Sequence, residues 1–374
     1  MQNKKIFFPN LDGLRFFSFL LVFFAHSFNA DNLLIKEESW YKFIKVRMFT
    51  DGDIGVSFFF VLSGFLISYL LLKEKEITNK IDIKSFYIRR ILRIWPLYYL
   101  IVLFGFFIFP ILKSYFGYIP LETADPLLCS TFLNNFDRMH HIPDASVLAI
   151  LWSIAIEEQF YLVWPLLLYF IRPDFYKYIF LNIIFISTLF RIIYINEISI
   201  EVHTLGVIAD MAIGGLGAFM ILFNSRFLSK IINLPKSIII IPYIFILMFI
   251  VFKYEIFQSE AMFILKRIVM ASFFILIIME QNYSRNSFFK VGTWKTVTWL
   301  GKYTYGLYCL HEIGILICLT LLRKFSLNQY SWQMWFLEIP ISMFFSIALS
   351  WLSYTYYESW FLKKKLKFSI ITKE

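Results

Sequence analysis

The first apolar run of the chain carries a cation and an imidazole, two groups that lipid disfavours. Residues 11–29 read LDGLRFFSFLLVFFAHSFN, with Arg15 near one end and His26 near the other. Eleven residues turn a helix through about 1,100°, so the two side chains share one face, roughly 16 Å apart along the axis. An arginine inside a membrane needs a partner or water, and neutral imidazole can take a proton from a hydroxyl near pH 7. The pair indicates a functional site inside a helix bundle.

Another apolar run carries two adjacent carboxylates. Residues 151–170 read LWSIAIEEQFYLVWPLLLYF and contain Glu157 and Glu158. Neighbouring residues on a helix differ by 100°, so only Glu157 shares a face with Ser153, one turn earlier. A carboxylate inside a membrane is a functional candidate, and the alternative is a neutral structural glutamate bonded to another helix. We expect Glu157 to pair with a histidine across helices, because a nearby cation stabilises an ionised carboxylate.

Three arginines lie within five positions at the start of a further apolar run. The segment KSFYIRRILRIWPLYYL contains Arg89, Arg90 and Arg93. Basic residues here can anchor a helix at the cytoplasmic surface. Their density also suits a polyanion, because guanidinium forks match phosphate oxygens. These two interpretations are equally compatible with the residues.

A second histidine lies deep in a late apolar run. The segment LGKYTYGLYCLHEIGIL places His311 about thirteen residues into that run. It could line the same cavity as His26, or be a buried imidazole bonded to a neighbouring helix. We expect Ser153, Tyr305 and His311 to line the cavity.

Small residues in two other runs predict close packing between helices. They are Ser63 and Gly64 in GVSFFFVLSGFLI, and Gly214, Gly215 and Gly217 in HTLGVIADMAIGGLGAF. Ser63 is a weak nucleophile candidate, because no His-Asp partner lies near it in sequence.

The composition predicts an all-α polytopic membrane protein. Of 374 residues, 59% are hydrophobic and 17% charged, against about 25% charged in an average soluble domain. A membrane β-barrel would show alternating ten-residue segments instead. The net charge of +10 fits basic cytoplasmic loops better than nucleic-acid binding, because no basic soluble module is apparent. No metal site or disulfide is predicted, since the histidines and cysteines lack the required spacing.

The apolar runs predict a bundle of about ten transmembrane helices in one domain, 1–374. They are approximately 11–29, 54–72, 94–112, 146–170, 179–195, 205–223, 237–252, 262–280, 298–320 and 334–356. With a cytoplasmic N-terminus, the segments on the cytoplasmic side hold 22 of the 36 Lys and Arg residues. The positive-inside bias therefore predicts that both termini are cytoplasmic.

The motifs together resemble the acyltransferase-3 family of integral membrane acyltransferases. LDGLRFFSFLLVFFAHS, GVSFFFVLSGFLI, FYIRRILRIWPLYY, LWSIAIEEQFYLVWPL and LGKYTYGLYCLH follow the family's order, and SYTYYESWFLKKK is similar to its ending. The resemblance implies ten core helices in a bacterial cytoplasmic membrane and transfer of an acyl group, usually acetyl, from cytoplasmic acyl-CoA. The acceptor it implies is a hydroxyl of an envelope polysaccharide or its lipid-linked precursor.

The resemblance also carries site residues over to matching positions. It implies that Arg15 and His26 are the family's essential arginine and histidine and that Glu157 is its acidic residue. The arginine cluster of the family corresponds to Arg89, Arg90 and Arg93. The chain departs from the family pattern at Ile208, where an arginine often stands two before Asp210. Ile154 and Trp360 are further departures that touch packing. Some relatives carry an additional soluble domain after the bundle, and we expect none here.

We therefore hypothesise a membrane O-acyltransferase that needs no bound cofactor and uses acyl-CoA as its donor. Arg15 and the three later arginines would hold CoA, His26 would act as the base, and Glu157 would orient His26. A transient acyl-imidazole on His26 stays open as a variant. The rival hypothesis is a transporter or flippase of a lipid-linked saccharide, because intramembrane Arg, Glu and His suit that function too.

Overall fold

The computed structural model describes residues 8–28, 32–49 and 52–368, and these residues form helices and no strands. The ten long helices, in chain order, are α1 (Pro9–Ser27), α2 (Asp53–Thr78), α3 (Ile83–Tyr115), α4 (Ser146–Phe170), α5 (Pro173–Ile193), α6 (Ala209–Phe223), α7 (Lys236–Ile256), α8 (Glu260–Tyr283), α9 (Thr304–Lys324) and α10 (Ser331–Lys365). Shorter helical segments connect them: Leu33–Glu37, Ser39–Tyr41, Lys42–Met48, Pro126–Ser130, Asn134–Asp137, Ile198–Glu201, Thr204–Val207, Ser225–Ile232, Val291–Thr293, Lys295–Lys302 and Leu366–Phe368.

Eight of the described helices, α2–α5 and α7–α10, are long and apolar enough to cross a membrane. A ninth span results if α6 and Ser225–Ile232, which meet at a bend of 101°, count together. The 19 residues of α1 span about 28 Å, but Asp12, Arg15 and His26 lower its mean hydropathy. The all-α polytopic fold is confirmed, and the ten predicted runs correspond to these nine spans and α1.

Two of the differences between the helix boundaries and the predicted runs concern site residues. The predicted run 298–320 is broken at Tyr303, between Lys295–Lys302 and α9. The predicted run 94–112 is part of the 33-residue helix α3, which therefore carries the three arginines on its first turns.

Asp82 caps the N-terminus of α3: the amide and hydroxyl of Ser85 donate to its carboxylate at 3.0 and 2.7 Å. These hydrogen bonds lower the pKa of Asp82 below its usual value.

Helices α2 and α6 pack closely against each other, and glycines permit the approach. A Cβ on Gly64 would lie 2.1 Å from the carbonyl oxygen of Met211, and one on Gly214 would lie 2.2 Å from that of Val61. Only a residue without a side chain fits against backbone at such distances. The predicted packing role of these glycines is confirmed.

The pair α9 and α10 is held together in a similar way. A Cβ on Gly314 would lie 2.5 Å from the hydroxyl of Ser346 and 2.8 Å from its amide nitrogen. Helix α1 contacts α2, α8, α9 and the segment Lys295–Lys302. It thus lies between the two close pairs, with most of its residues buried.

Charged side chains connect α5, α6 and α8 inside the apolar bundle. Arg267 of α8 binds Asp210 of α6 at 2.6 Å and Glu201 at 2.9 Å. Arg191 of α5 binds the other oxygen of Glu201 at 2.8 Å. Asp210 therefore obtains its cation from α8, which explains how the chain tolerates Ile208 at the position where an arginine was expected.

The Asp210–Arg267 pair should make a large contribution to stability. Removal of one charge of a fully buried ion pair costs up to about 3–5 kcal/mol. Arg267 would then keep only the partly exposed Glu201 as a carboxylate partner among the described residues. We expect Asp210→Asn to lower the thermal unfolding temperature of the purified protein strongly. The matched control is Asp174→Asn, which breaks the exposed Arg172–Asp174 pair and should change stability by less than about 1 kcal/mol. Equal unfolding temperatures for the two variants would contradict this assignment.

Candidate active site

Two helices bring His26, His311 and Glu312 together, and we call these three residues the histidine cluster. Nδ1 of His26, on the last turn of α1, lies 2.5 Å from Oε1 of Glu312 and 2.8 Å from Nε2 of His311. The two imidazole rings are stacked, with their centroids 5.0 Å apart. His311 is completely buried, whereas 29% of the His26 side chain is exposed. The cluster can therefore be reached from the His26 side.

The hydrogen bonds determine which nitrogens carry protons. Nδ1 of His311 lies 2.8 Å from the carbonyl oxygen of Tyr308. A carbonyl only accepts, so this nitrogen carries the proton, and Nε2 of neutral His311 is an acceptor. Nδ1 of His26 faces that acceptor and a carboxylate, so it donates, and the lone pair of neutral His26 is on Nε2. This tautomer suits a general base.

Glu312 supplies the carboxylate beside His26, and the expected pairing of His26 with Glu157 is wrong. Glu157 accepts hydrogen bonds from the hydroxyl of Ser63 at 2.7 Å and from that of Tyr161 at 3.3 Å. Its nearby cations are Arg15 and Arg90. Glu157 thus belongs to the arginine end of the bundle.

The two adjacent carboxylates of α4 diverge, as the 100° rotation predicts. Glu157 faces Ser63 of α2, whereas Glu158 accepts from Nε1 of Trp95 of α3 at 2.8 Å. Glu158 is therefore hydrogen-bonded to a different helix, although both carboxylates lie within electrostatic reach of Arg90.

The arginines predicted to bind CoA divide into two groups. Arg93 lies within electrostatic reach of both Arg15 and Arg90, and we call these three residues the arginine group. The Arg90 guanidinium lies 5.4 Å from the ring centroids of both Phe86 and Tyr161. Its buried Nε lacks a hydrogen-bond partner in the described part of the chain. A buried guanidinium nitrogen without a partner suits an anionic ligand.

Arg89 differs from the arginine group because its donors are already engaged. Nη1 donates to the carbonyl of Phe368 at 2.6 Å, and Nη2 lies 3.5 Å from Oε2 of Glu74. Glu74 also accepts from the backbone amide of Asp82 at 2.7 Å. Arg89 therefore connects α2, the start of α3 and the segment after α10.

The polar residues between the two ends belong to α4 and α9. The hydroxyls of Ser153 and Tyr308 lie 2.6 Å apart, and both residues are buried. Because Ser153 is one turn from Glu157 and Tyr308 one turn from His311, this contact links the arginine end to the histidine cluster. Tyr305, also expected to line a cavity, donates to the carbonyl of Ile94 at 2.7 Å and ties α9 to α3.

Glu312, Tyr161 and Tyr308 lie in the site but were not predicted as site residues. The available signal for Glu312 was its position beside His311, a charged residue inside an apolar run. Tyr161 follows Glu157 by one helical turn, which is the spacing that lets two side chains touch. Tyr308 had no local signal, because aromatic residues are common throughout the chain.

Comparison with known proteins gives the family of this chain. Residues 8–355 match the family described as an acyltransferase domain. The chain belongs to the acyltransferase-3 family. The resemblance seen in the motifs is thereby confirmed over nearly the whole chain.

Several bacterial proteins are similar in sequence. Over 341 residues the chain is 28% identical to the peptidoglycan O-acetyltransferase OatA of Listeria monocytogenes, and the aligned region covers 83% of this chain and 50% of OatA. Over 170 residues it is 35% identical to a putative peptidoglycan O-acetyltransferase, YrhL, of Bacillus subtilis, and this aligned region covers 43% of this chain and 23% of YrhL. A putative O-acetyltransferase of Staphylococcus aureus is 32% identical over 176 residues, 44% of this chain and 25% of its own.

The chain spans half the length of the Listeria relative and a smaller share of the other two. No solved structure matches it significantly.

The contact between Ser153 and Tyr308 can be tested by a double-mutant cycle. Hydrogen bonds between transmembrane helices contribute about 0.6 kcal/mol on average and up to about 1.7. We expect Ser153→Ala and Tyr308→Phe to be non-additive by roughly this amount in unfolding experiments in detergent. Tyr243→Phe, which removes a hydroxyl bonded to Glu280, is the control and should be additive with Ser153→Ala. Additivity of the first pair would rule out the contact.

Proposed function

We propose that this chain is a membrane O-acyltransferase that transfers acetyl from cytoplasmic acyl-CoA to a hydroxyl of an envelope glycan. The observation that carries the proposal is the contact of His26 with Glu312, which gives an accessible imidazole the tautomer of a base. Family membership and the O-acetyltransferase names of the relatives support it. Peptidoglycan or its lipid-linked precursor is the acceptor we infer from those names.

His26 acts as the general base in this proposal. A hydroxyl is a poor nucleophile until its proton is removed, and Nε2 of His26 accepts that proton as the oxygen attacks the thioester carbonyl. The new C–O bond forms, the C–S bond breaks, and the thiolate of CoA leaves and takes up a proton. Glu312 holds Nδ1–H and stabilises the imidazolium that forms, which is the role of the third group in a nucleophile–base–orienter arrangement.

The arginine group binds the phosphates of the donor. Guanidinium groups bind phosphate through charge-assisted hydrogen bonds. Nε of Arg90 lacks a partner among the described residues, so its N–H can donate to a phosphate oxygen. Arg15 also binds Asp12 at 2.9 Å, which fixes the position of the arginine side chain on the second turn of α1 (Pro9–Ser27). The eleven residues from Arg15 to His26 cover about 16 Å, a distance suited to the extended pantetheine arm.

The charge distribution supports an orientation for this reaction. With the Arg15 end of α1 in the cytoplasm, 22 of the 36 basic residues lie in cytoplasmic segments. The arginine group then faces the cytoplasmic acyl-CoA pool, and His26 lies near the outer surface where the glycan acceptor is found. Glu157 acts at the donor end, where its charge balances that of Arg15 and its oxygens position Ser63 and Tyr161.

Substitutions in the histidine cluster should abolish turnover without unfolding the protein. We expect His26→Ala to eliminate acetyl transfer, and Glu312→Gln to reduce kcat by about 10²–10⁴, the usual contribution of general base catalysis. The assay is transfer of labelled acetyl from acetyl-CoA to peptidoglycan precursors by protein purified into lipid nanodiscs. Protein-bound label that accumulates without acceptor would identify the acyl-imidazole variant.

Glu158→Gln is the control for Glu312→Gln. Its carboxylate faces Trp95, so this variant should keep kcat within a few-fold of the wild type. Near-normal activity of His26→Ala would exclude the base assignment. Acetyl-CoA consumption by purified protein also separates the enzyme from the transporter hypothesis.

The division of the arginines predicts different kinetics for two adjacent residues. Loss of a charge-assisted hydrogen bond costs about 1.5–3 kcal/mol, so Arg90→Met should raise the KM for acetyl-CoA by about tenfold to a hundredfold. Arg89→Met should raise that KM less and lower the thermal unfolding temperature more, because Arg89 connects helices. Initial rates over a range of acetyl-CoA concentrations measure both variants. An equal rise in KM for Arg89→Met and Arg90→Met would show that Arg89 also binds the donor.

A further inference from the structure

The histidine cluster contains the donor atoms that a divalent metal ion selects. Two imidazole nitrogens and one carboxylate oxygen, from His26, His311 and Glu312, lie within 4.8 Å of one another. Two histidines and one glutamate form the protein ligand set of several zinc enzymes, in which the fourth position is open. Nothing in the spacing of these residues along the chain indicates such a site, because His26 and His311 are 285 positions apart.

The distances between the donor atoms are close to those of a zinc site. In a tetrahedral site with bonds of about 2.0–2.2 Å, the ligand atoms lie roughly 3.3–3.5 Å from one another. Nε2 of His311 and Oε1 of Glu312 are already 3.6 Å apart. Nδ1 of His26 lies 2.8 and 2.5 Å from these two atoms. A shift of the His26 ring by about 1 Å would bring all three distances between the donor atoms into the range of a tetrahedral zinc site.

The groups around the cluster suit metal binding as well. Metal-binding histidines usually donate their second nitrogen to a carbonyl or carboxylate, which fixes the ring. Nδ1 of His311 meets this condition through the carbonyl of Tyr308. His26 and Glu312 are partly exposed, with 29% and 13% of their side chains accessible, and this exposure gives an ion a path into the cluster.

We propose that His26, His311 and Glu312 form a binding site for a divalent cation, best matched to Zn²⁺, and that the bound ion inhibits acyl transfer. The inhibition rests on the proposed function, whereas the binding does not. In the metal-free protein the Nδ1 proton of His26 lies where the ion would lie. Coordination through Nδ1 moves that proton to Nε2, so the ring can no longer accept a proton from the acceptor hydroxyl.

Binding is measured first, without any acyl substrate. The full chain in detergent is treated with a chelator, the chelator is removed, and Zn²⁺ alone is titrated by calorimetry. We expect one ion per chain, a higher thermal unfolding temperature because the ion binds only the folded protein, and absorption bands of tetrahedral coordination with Co²⁺. Glu312→Gln should weaken Zn²⁺ binding by tenfold or more, because a neutral amide is a poor zinc ligand.

The control variant removes an exposed histidine elsewhere. His141, 54% exposed and bonded to Asp137, is outside the proposed machinery, and His141→Ala should bind Zn²⁺ like the wild type and keep the wild-type rate. His311→Asn should also lose the ion, and its elution as a folded monodisperse peak separates ligand loss from misfolding. Binding that is unchanged in both Glu312→Gln and His311→Asn, or absent from the wild type, overturns the proposal.

The activity assay then separates this proposal from the proposed function. We expect the chelator-treated enzyme to transfer acetyl and stoichiometric Zn²⁺ to reduce the rate at least tenfold, with recovery when chelator is added back. An active enzyme that does not bind the ion contradicts the metal site alone. A chain that binds the ion but transfers no acetyl when metal-free contradicts the proposed function and, with it, the inhibitory role. Zinc that binds but leaves the rate unchanged overturns the inhibition.

Discussion

A polar group inside a membrane bundle must find its partner on another helix, because lipid offers none. This constraint explains the arrangement of most ionisable groups described above. In three cases the partner lies on another helix. His26 contacts Glu312 and Arg267 contacts Asp210 as ion pairs. Glu157 accepts a hydrogen bond from Ser63. The bundle therefore has few ways to pack, since each pairing fixes the rotation of two helices. The site residues and the residues that hold the fold are governed by the same rule.

Local periodicity predicted the features that depend on one helix at a time. The all-α fold follows from the composition and its apolar runs, and the packing of Gly64 and Gly214 follows from their small size. The divergence of Glu157 from Glu158 follows from the rotation of 100° between neighbouring residues. The same kind of reasoning singled out Arg15 and His26, which have unfavourable side chains for an apolar run. The family resemblance, drawn from the motifs, was confirmed over residues 8–355.

Partners from distant helices could not be predicted in this way. The sequence suggested Glu157 for His26, but a preference for some carboxylate does not say which helix will supply it. Arg267 is 57 positions from Asp210, and no pattern connects them. Arg89 and Arg90 are adjacent, so their different surroundings depend on the rotation of α3 about its axis, which is set by packing against α4, α9 and α10. Such facts belong to tertiary structure.

The glycine contacts have a mechanical consequence. Helices α2 and α6 meet backbone against backbone, as do α9 and α10, and such interfaces cannot slide without steric overlap. Helix α1 is fixed to its neighbours in the same way. A Cβ on Gly55 of α2 would lie 2.6 Å from the carbonyl oxygen of Ser18, and one on Gly301 would lie 2.1 Å from that of Asp12. The helix that carries Arg15 and His26 is therefore held by backbone contacts on two sides. A substrate that enters the site must be accommodated by movement of side chains, because displacement of α1 would break both contacts.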